Sequence, residues 1–517
     1  MNNNIFLIKL FSMLINLILI LILNKFIQSI IVLPIYILPY ENYKTSKNNV
    51  NILGETINSF YKSYFYTFIN IGNPYQTIPI LIKTERNSFI ITSINSIENC
   101  NSYKYIDTFN FSESFFIKNN YSFYNEKKSD TYIINKCDYG RFYEAEEVCE
   151  CNERFLFFNN ISLTHMIQRE KLFFHMARNV EDNITGEIGL NLYDKNQIFD
   201  ISFIFILKRN NLIDNYNWYF DIKNKSEIKL IIGALPHEIE PDIYSLDDLS
   251  YTKTEMNNFM IYWRMNFNKI FAKNCDIFAS LRYFNDTLAE FKFDSDIIIG
   301  TDEYSNYLFK ILDDLFKNKK CFNDSIIDYK NQKDKLIFIY CKNEKNILNQ
   351  LNDSLLPNIY FYSVDLNYTF EINSNDLLMI KGDFIYLKIL FSSKGNKIWK
   401  LGKLFSLKYQ FTFNPETKQI GFYRNIKQII SSILKKVEKN GKIDKQKINT
   451  RNYLVYKIIL VIIFIIVFVY LFWKYYKIIC NLKRQTRKNE ITLINDGKTN
   501  VDNNLKEMEN LNDGNEK

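Results

Sequence analysis

The run Tyr64 to Ile71 (YFYTFINI), the turn Gly72-Asn73-Pro74 and the run Thr77 to Ile82 (TIPILI) read as a β-hairpin. Short runs of the same kind recur as far as Phe422, whereas convincing amphipathic helices are few. The best helical pattern is Tyr304 to Phe316 (YSNYLFKILDDLF). With 36 Tyr and 44 Phe against 14 Gly, composition points the same way, because aromatic and β-branched side chains suit a pleated surface. The expected fold is mostly β with isolated helices.

Two apolar segments indicate the compartment. The first, Leu10 to Leu23, follows a short polar start containing Lys9 and has the shape of a signal peptide. No clear small-x-small cleavage site follows it, and apolar residues resume from Phe26 to Leu38, so a cleaved signal and an uncleaved signal anchor are both open. The second runs from Ile458 to Trp473 and extends back to Tyr453, about 20 residues, enough to cross a bilayer. Lys474, Lys477, Lys483, Arg484, Arg487 and Lys488 follow it, as after a stop-transfer helix. The net charge of +8 is modest for 517 residues. Its basic residues gather near this segment, which indicates a membrane surface and no nucleic acid. The tail from Asn489 is polar and is expected to be disordered.

Seven of the eight cysteines lie between the two segments: Cys100, Cys137, Cys149, Cys151, Cys275, Cys321 and Cys341. In an oxidising lumen they read as disulfides with one left over. The closeness of Cys149 to Cys151 also suits a metal, but the chain has three histidines and none sits at ligand spacing, so disulfides are preferred and no metal or cofactor is expected. Cys480 falls at the membrane boundary.

Residues Tyr64 to Ser93 (YFYTFINIGNPYQTIPILIKTERNSFIITS) resemble the opening of a pepsin-family aspartic peptidase: a hairpin, an IG-x-P-x-Q turn, a strand, then the first active-site loop. Further pieces follow in that family's order. Thr185 to Leu190 (TGEIGL), Leu230 to Gly233 (LIIG), Tyr262-Trp263, Phe293 to Asp296 (FDSD), Leu356 to Ile359, Trp399 to Gly402 (WKLG), Phe413 and Ile420 to Phe422 each resemble a family landmark. Lys136 to Phe158 is similar to the cysteine-containing flap of plasmepsin V, a membrane-anchored member. The resemblance covers roughly residues 60 to 424. It implies a bilobal β fold, a disulfide between Cys321 and Cys341, and Tyr143 at the position of the flap tyrosine.

The family's reaction needs two facing carboxylates that share a proton, one activating water and the other hydrogen-bonding the scissile carbonyl. Its first loop reads Asp-Thr-Gly; here the matching stretch is Lys83-Thr84-Glu85. Lysine cannot act as that base while charged, and Glu85 stands where a glycine lets the backbone run close to the carboxylates. In the second loop, alignment forward from Ala289 puts Lys292 at the aspartate position. Alignment back from the helix puts Asp294 there, with Asp296 replacing the glycine. Asp294 is preferred, because a hydrophobic residue precedes it and Ser295 follows. Lys83 and Asp294 are then expected to face each other as an ion pair.

The resemblance thus implies a membrane-tethered pseudoprotease that holds a peptide or protein ligand in an interlobe cleft beneath Tyr143, with Glu85 and Asp296 on its floor. An active endopeptidase with an unorthodox dyad and a structural or adhesive ectodomain stay open as alternatives. The expected organisation is a signal peptide or anchor (1–40), an N-terminal β lobe (60–215), a C-terminal β lobe (216–424), a basic stalk (425–452), a transmembrane helix (453–476) and a cytosolic tail (477–517). The ectodomain would be lumenal in the secretory pathway. Cys100, Cys137, Cys149 and Cys151 are also expected in disulfides.

Overall fold

Strand formation follows the apolar patterning closely. The hairpin forms from Tyr64–Ile71 and Gln76–Lys83, paired from Phe65↔Ile82 to Ile71↔Gln76. Its turn is held by Asn125 and Ser129. The Gln76 side-chain amide donates to the Asn125 carbonyl (2.9 Å) and accepts from the Asn125 N–H (2.9 Å), as a neighbouring strand would. Asn73 N–H donates to Ser129 Oγ at 3.0 Å, and Gly72 adopts a positive φ of 92° that a side chain would strain. The IG-x-P-x-Q pattern therefore encodes a docking point as well as a turn.

The computed structural model describes residues 29–38, 52–61, 64–84, 89–93, 124–142, 145–180, 186–192, 202–224, 227–255, 262–273, 281–293, 295–327, 334–424, 474 and 477. The protein is mostly β. The described residues up to Arg424 belong to one compact unit. Within the first, a thirteen-stranded sheet runs in the order Leu249–Lys253, Gln419–Tyr423, Phe411–Asn414, Trp218–Asn224, Glu227–Ile232, Ile31–Leu38, Tyr64–Ile71, Gln76–Lys83, Gly186–Gly189, Phe89–Thr92, Met166–Val180, Ala145–Phe158, Ile133–Phe142. A second sheet orders Arg264–Asn266, Leu288–Phe291, Trp399–Leu401, Ile298–Ile299, Phe384–Ser392, Lys335–Lys342 and Cys321–Ile327, with Leu378–Lys381 beside Phe384–Ser392. A third, smaller sheet comprises Arg282–Phe284, Lys269–Lys273, Asn358–Ser363 and Tyr368–Ile372.

One local topology occurs twice. Gln76–Lys83 pairs in parallel with Gly186–Gly189, which pairs antiparallel with Phe89–Thr92, which pairs in parallel with Met166–Val180. Leu288–Phe291 pairs in parallel with Trp399–Leu401, which pairs antiparallel with Ile298–Ile299, which pairs in parallel with Phe384–Ser392. The two arrangements share a core in which Trp218 stacks on Phe413 (4.4 Å between centroids) beside Trp263 and Phe293.

Several expectations change. Residues 31–38, read as the end of the N-terminal apolar segment, are a central strand paired with Glu227–Ile232 and Tyr64–Ile71. Ile31, Leu33 and Ile35 enter the main core while Val32 packs with Tyr219 and Ile231 on the other face. A strand buried on both faces is apolar throughout, so in sequence it merges with a membrane segment. The helical run at 304–316 is two helices, Asp302–Ile311 and Asp313–Lys317, separated at Leu312. Disulfides join Cys137 to Cys149 and Cys321 to Cys341, each pair directly opposite across antiparallel strands. Cys151, expected in a disulfide, carries a buried thiol that hydrogen-bonds the Cys149 carbonyl and the Tyr132 hydroxyl. It stands one strand period from Cys149, on the same buried face. Cys100, Cys275 and Cys480 lie outside the described residues, as does nearly all of 453–476. Among the described residues no helix is long and apolar enough to cross a membrane.

Candidate functional site

The two repeated strand pairs end in the loops that the sequence singled out. Lys83 is the last residue of its strand, opposite Gly189, and its carbonyl accepts from Leu190 N–H at 2.7 Å. Its ammonium lies 3.3 Å from Glu187 Oε2, on side chains 15% and 3% exposed. Glu187 sits in an apolar four-residue strand that is buried throughout. A buried carboxylate without a partner is costly, and Lys83 supplies the countercharge. The Lys83 ammonium therefore has a described partner that the sequence reading did not name, Glu187. Asp294 and Glu85 lie outside the described residues.

Strand pairing carries the equivalence with Lys83 to Lys292. Phe291 pairs with Leu401 just before Gly402, as Ile82 pairs with Ile188 just before Gly189. Lys292 N–H continues the ladder to the Leu401 carbonyl at 2.8 Å. The next bond of the first arrangement, Leu190 N–H to the Lys83 carbonyl, has its counterpart in Lys403 N–H to the Ser295 carbonyl at 2.7 Å. Three residues, 293–295, are thus inserted into the second loop. The ladder fits the forward register up to Lys292 and resumes at Ser295, so each sequence alignment fits one flank of the loop, and Asp294 between them lies outside the described residues.

Lys292 is 2% exposed, donates to Tyr61 Oη at 3.1 Å, and lies 4.5 Å from the Tyr61 ring centroid. Tyr61 ends the helix Ile52–Tyr61, whose Ile57 and Tyr61 pack against Ile297, Ile299, Phe338 and Leu390 of the second sheet. Lys403 is fully buried, 3.0 Å from Asp296 Oδ1 and 4.8 Å from the Phe65 ring centroid. A buried ammonium needs a countercharge or the negative face of a ring, and Lys403 has both. Gly402 is required beside it, since a Cβ there would stand 2.4 Å from the Ile297 carbonyl oxygen. The Trp263 indole donates to the Leu190 carbonyl at 2.8 Å and so links the two arrangements directly.

The site residues of the sequence reading fall into two groups. Lys83 ends a repeated strand and Asp296 lies in the loop before Ile298–Ile299, each in an ion pair with a partner not foreseen; Asp294, Glu85 and Tyr143 lie outside the described residues. Glu187, Tyr61 and Lys403 were missed. A charge inside an otherwise buried short strand, as in Gly-Glu-Ile-Gly, is the signal that could have found Glu187; Lys403 begins the short helix after the strand Trp399–Leu401 and carries no such signal. Chemically, the described groups offer ammonium ions held by carboxylates and rings, an arrangement that fixes loop positions. No family model matches this chain, and no curated protein sequence matches it.

Proposed function

We propose that the protein is a non-catalytic, membrane-anchored homologue of pepsin-like aspartic peptidases that acts by holding an extended peptide or a protein partner between two β lobes. The observation that carries this reading is the Lys83–Glu187 pair: at the place where the chemistry needs a carboxylate, an ammonium is engaged by a buried acid. The matching position of the repeated arrangement is a second lysine, Lys292, capped by Tyr61. The duplicated topology and the disulfide across Cys321 and Cys341 support the bilobal reading. In this proposal the ectodomain is lumenal in the secretory pathway and the tail, residues 477–517, is cytosolic. Lobes joined by a sheet bind extended peptides through backbone pairing, which does not require the catalytic pair.

The packing of Tyr61 on Lys292 and the full burial of Lys403 favour a second reading, a structural ectodomain with its cleft filled. A peptide library presented to the purified full chain in detergent separates the readings. The proposal expects capture of a sequence-related set of peptides without cleavage from pH 3 to 7.5. No capture leaves the structural reading. Cleavage blocked by a statine-type inhibitor and lost in Asp294→Ala would overturn both in favour of an active enzyme.

A further inference from the structure

The thirteen-stranded sheet has a second face, away from the main core, partly covered by the segment Leu235–Tyr244. Four contacts hold that segment down. Glu240 pairs with Lys223 at 2.7 Å, His237 Nδ1 meets the Tyr423 hydroxyl at 2.6 Å, the Tyr244 and Tyr423 rings pack edge-on at 5.3 Å, and Ile239 joins Val32, Tyr219, Ile231 and Ala234 in a small apolar cluster. At this place lies Asp221, 3% exposed, and its Oδ2 has no hydrogen-bond partner.

We propose that Leu235–Tyr244 is a proton-dependent clamp on the sheet, closed when Asp221 is protonated and loosened when it ionises. The groups around Asp221 define the balance. Its own strand brings Lys223 and Tyr219; the adjoining strand brings Lys229, directly opposite, and Glu227; the clamp brings Glu240, with Tyr244 and His237 near Tyr423 of the last strand. The strand Phe411–Asn414 contributes no titratable side chain. Three carboxylates thus face two ammonium groups, and the two lysines already pair with Glu240 and Glu227. An ionised Asp221 is therefore a buried charge whose second oxygen lacks a donor, beside the negative charge of Glu240. Lifting the clamp lets water reach that oxygen.

Burial, then Glu240, push the Asp221 carboxyl up to about 6. The closed state then binds a proton that the open state releases, so closure weakens as pH rises. With an ordinary carboxyl value in the open state, linkage makes opening about tenfold easier at pH 7.5 than at pH 5. Burial also raises the phenols of Tyr219, Tyr244 and Tyr423, which stay protonated throughout.

Hydrogen exchange of the full chain in detergent, corrected for intrinsic rates, tests this. Amides of 236–244 should lose about tenfold in protection from pH 5 to 7.5. Asp221→Asn should keep the acid-pH protection at both values, and His237→Asn should retain the pH dependence. Unchanged protection in the parent chain overturns the clamp. A fall that persists in Asp221→Asn, or vanishes in His237→Asn, overturns the assignment to Asp221.

Discussion

Lys83 shows how one buried charge constrains its neighbours. Removing its ammonium takes a countercharge from Glu187, which is 3% exposed in a buried strand. Lys83→Met should destabilise by about 3–5 kcal/mol, reduced to the extent that water reaches the partly exposed Lys83 side. Lys83→Met with Glu187→Leu should recover much of the loss. Denaturant unfolding of the three chains measures the coupling, and a double variant no more stable than Lys83→Met would remove Glu187 as the partner. Asp221 makes the opposite case. Its folded-state carboxyl is raised to about 6 from 3.8, so the folded state holds the proton more tightly than the unfolded chain. That contribution is absent below about pH 4, grows as a penalty through pH 6, and is complete above it, about 3 kcal/mol. Asp221→Asn should accordingly raise stability at pH 7.5 and leave it little changed at pH 3.5. Equal effects at both pH values would contradict the titration.

At the scale of elements, the hairpin turn depends on a remote segment. Gln76 replaces a missing strand neighbour by making both backbone bonds of Asn125, with burial limiting access of water. Gln76→Ala should cost about 1–3 kcal/mol and raise hydrogen exchange across 124–131 while the hairpin strands keep their protection. Loss confined to the strands would place the anchor elsewhere. The residue pattern of this hairpin was readable in advance because turn chemistry and period-two burial are local. Its partner was not, because nothing near Gln76 in the chain indicates Asn125. The inserted second loop was hard to read for a related reason: an insertion leaves both flanks aligned and only the hydrogen-bonded ladder shows on which side it falls.

For the whole molecule, the central position of Ile31–Leu38 sets a limit on processing. This strand separates Glu227–Ile232 from Tyr64–Ile71, and Ser29 fastens its start by exchanging backbone and side-chain bonds with Asp214. A chain beginning at residue 41 should aggregate or expose two unpaired strand edges, whereas one beginning at residue 28 should fold. Size-exclusion and thermal unfolding of the two truncations decide the matter, and a stable, monomeric 41–517 chain would show that the strand is dispensable.

Whereas the pairing of Cys137 with Cys149 was left to the structure, the sequence by itself determined the mostly β class, the hairpin at 64–83 and the presence of lysine where a pepsin-like reading needs aspartate. These follow from side-chain periodicity, turn chemistry and residue identity, all of which are local. Tertiary structure alone decided which carboxylate answers Lys83, that Lys292 is its counterpart, that Tyr61 and Phe65 receive the two buried ammonium groups, and that an apolar run at 31–38 is a strand. Each depends on which distant segments meet, and a buried charge states only that a partner exists, not where in the chain it lies.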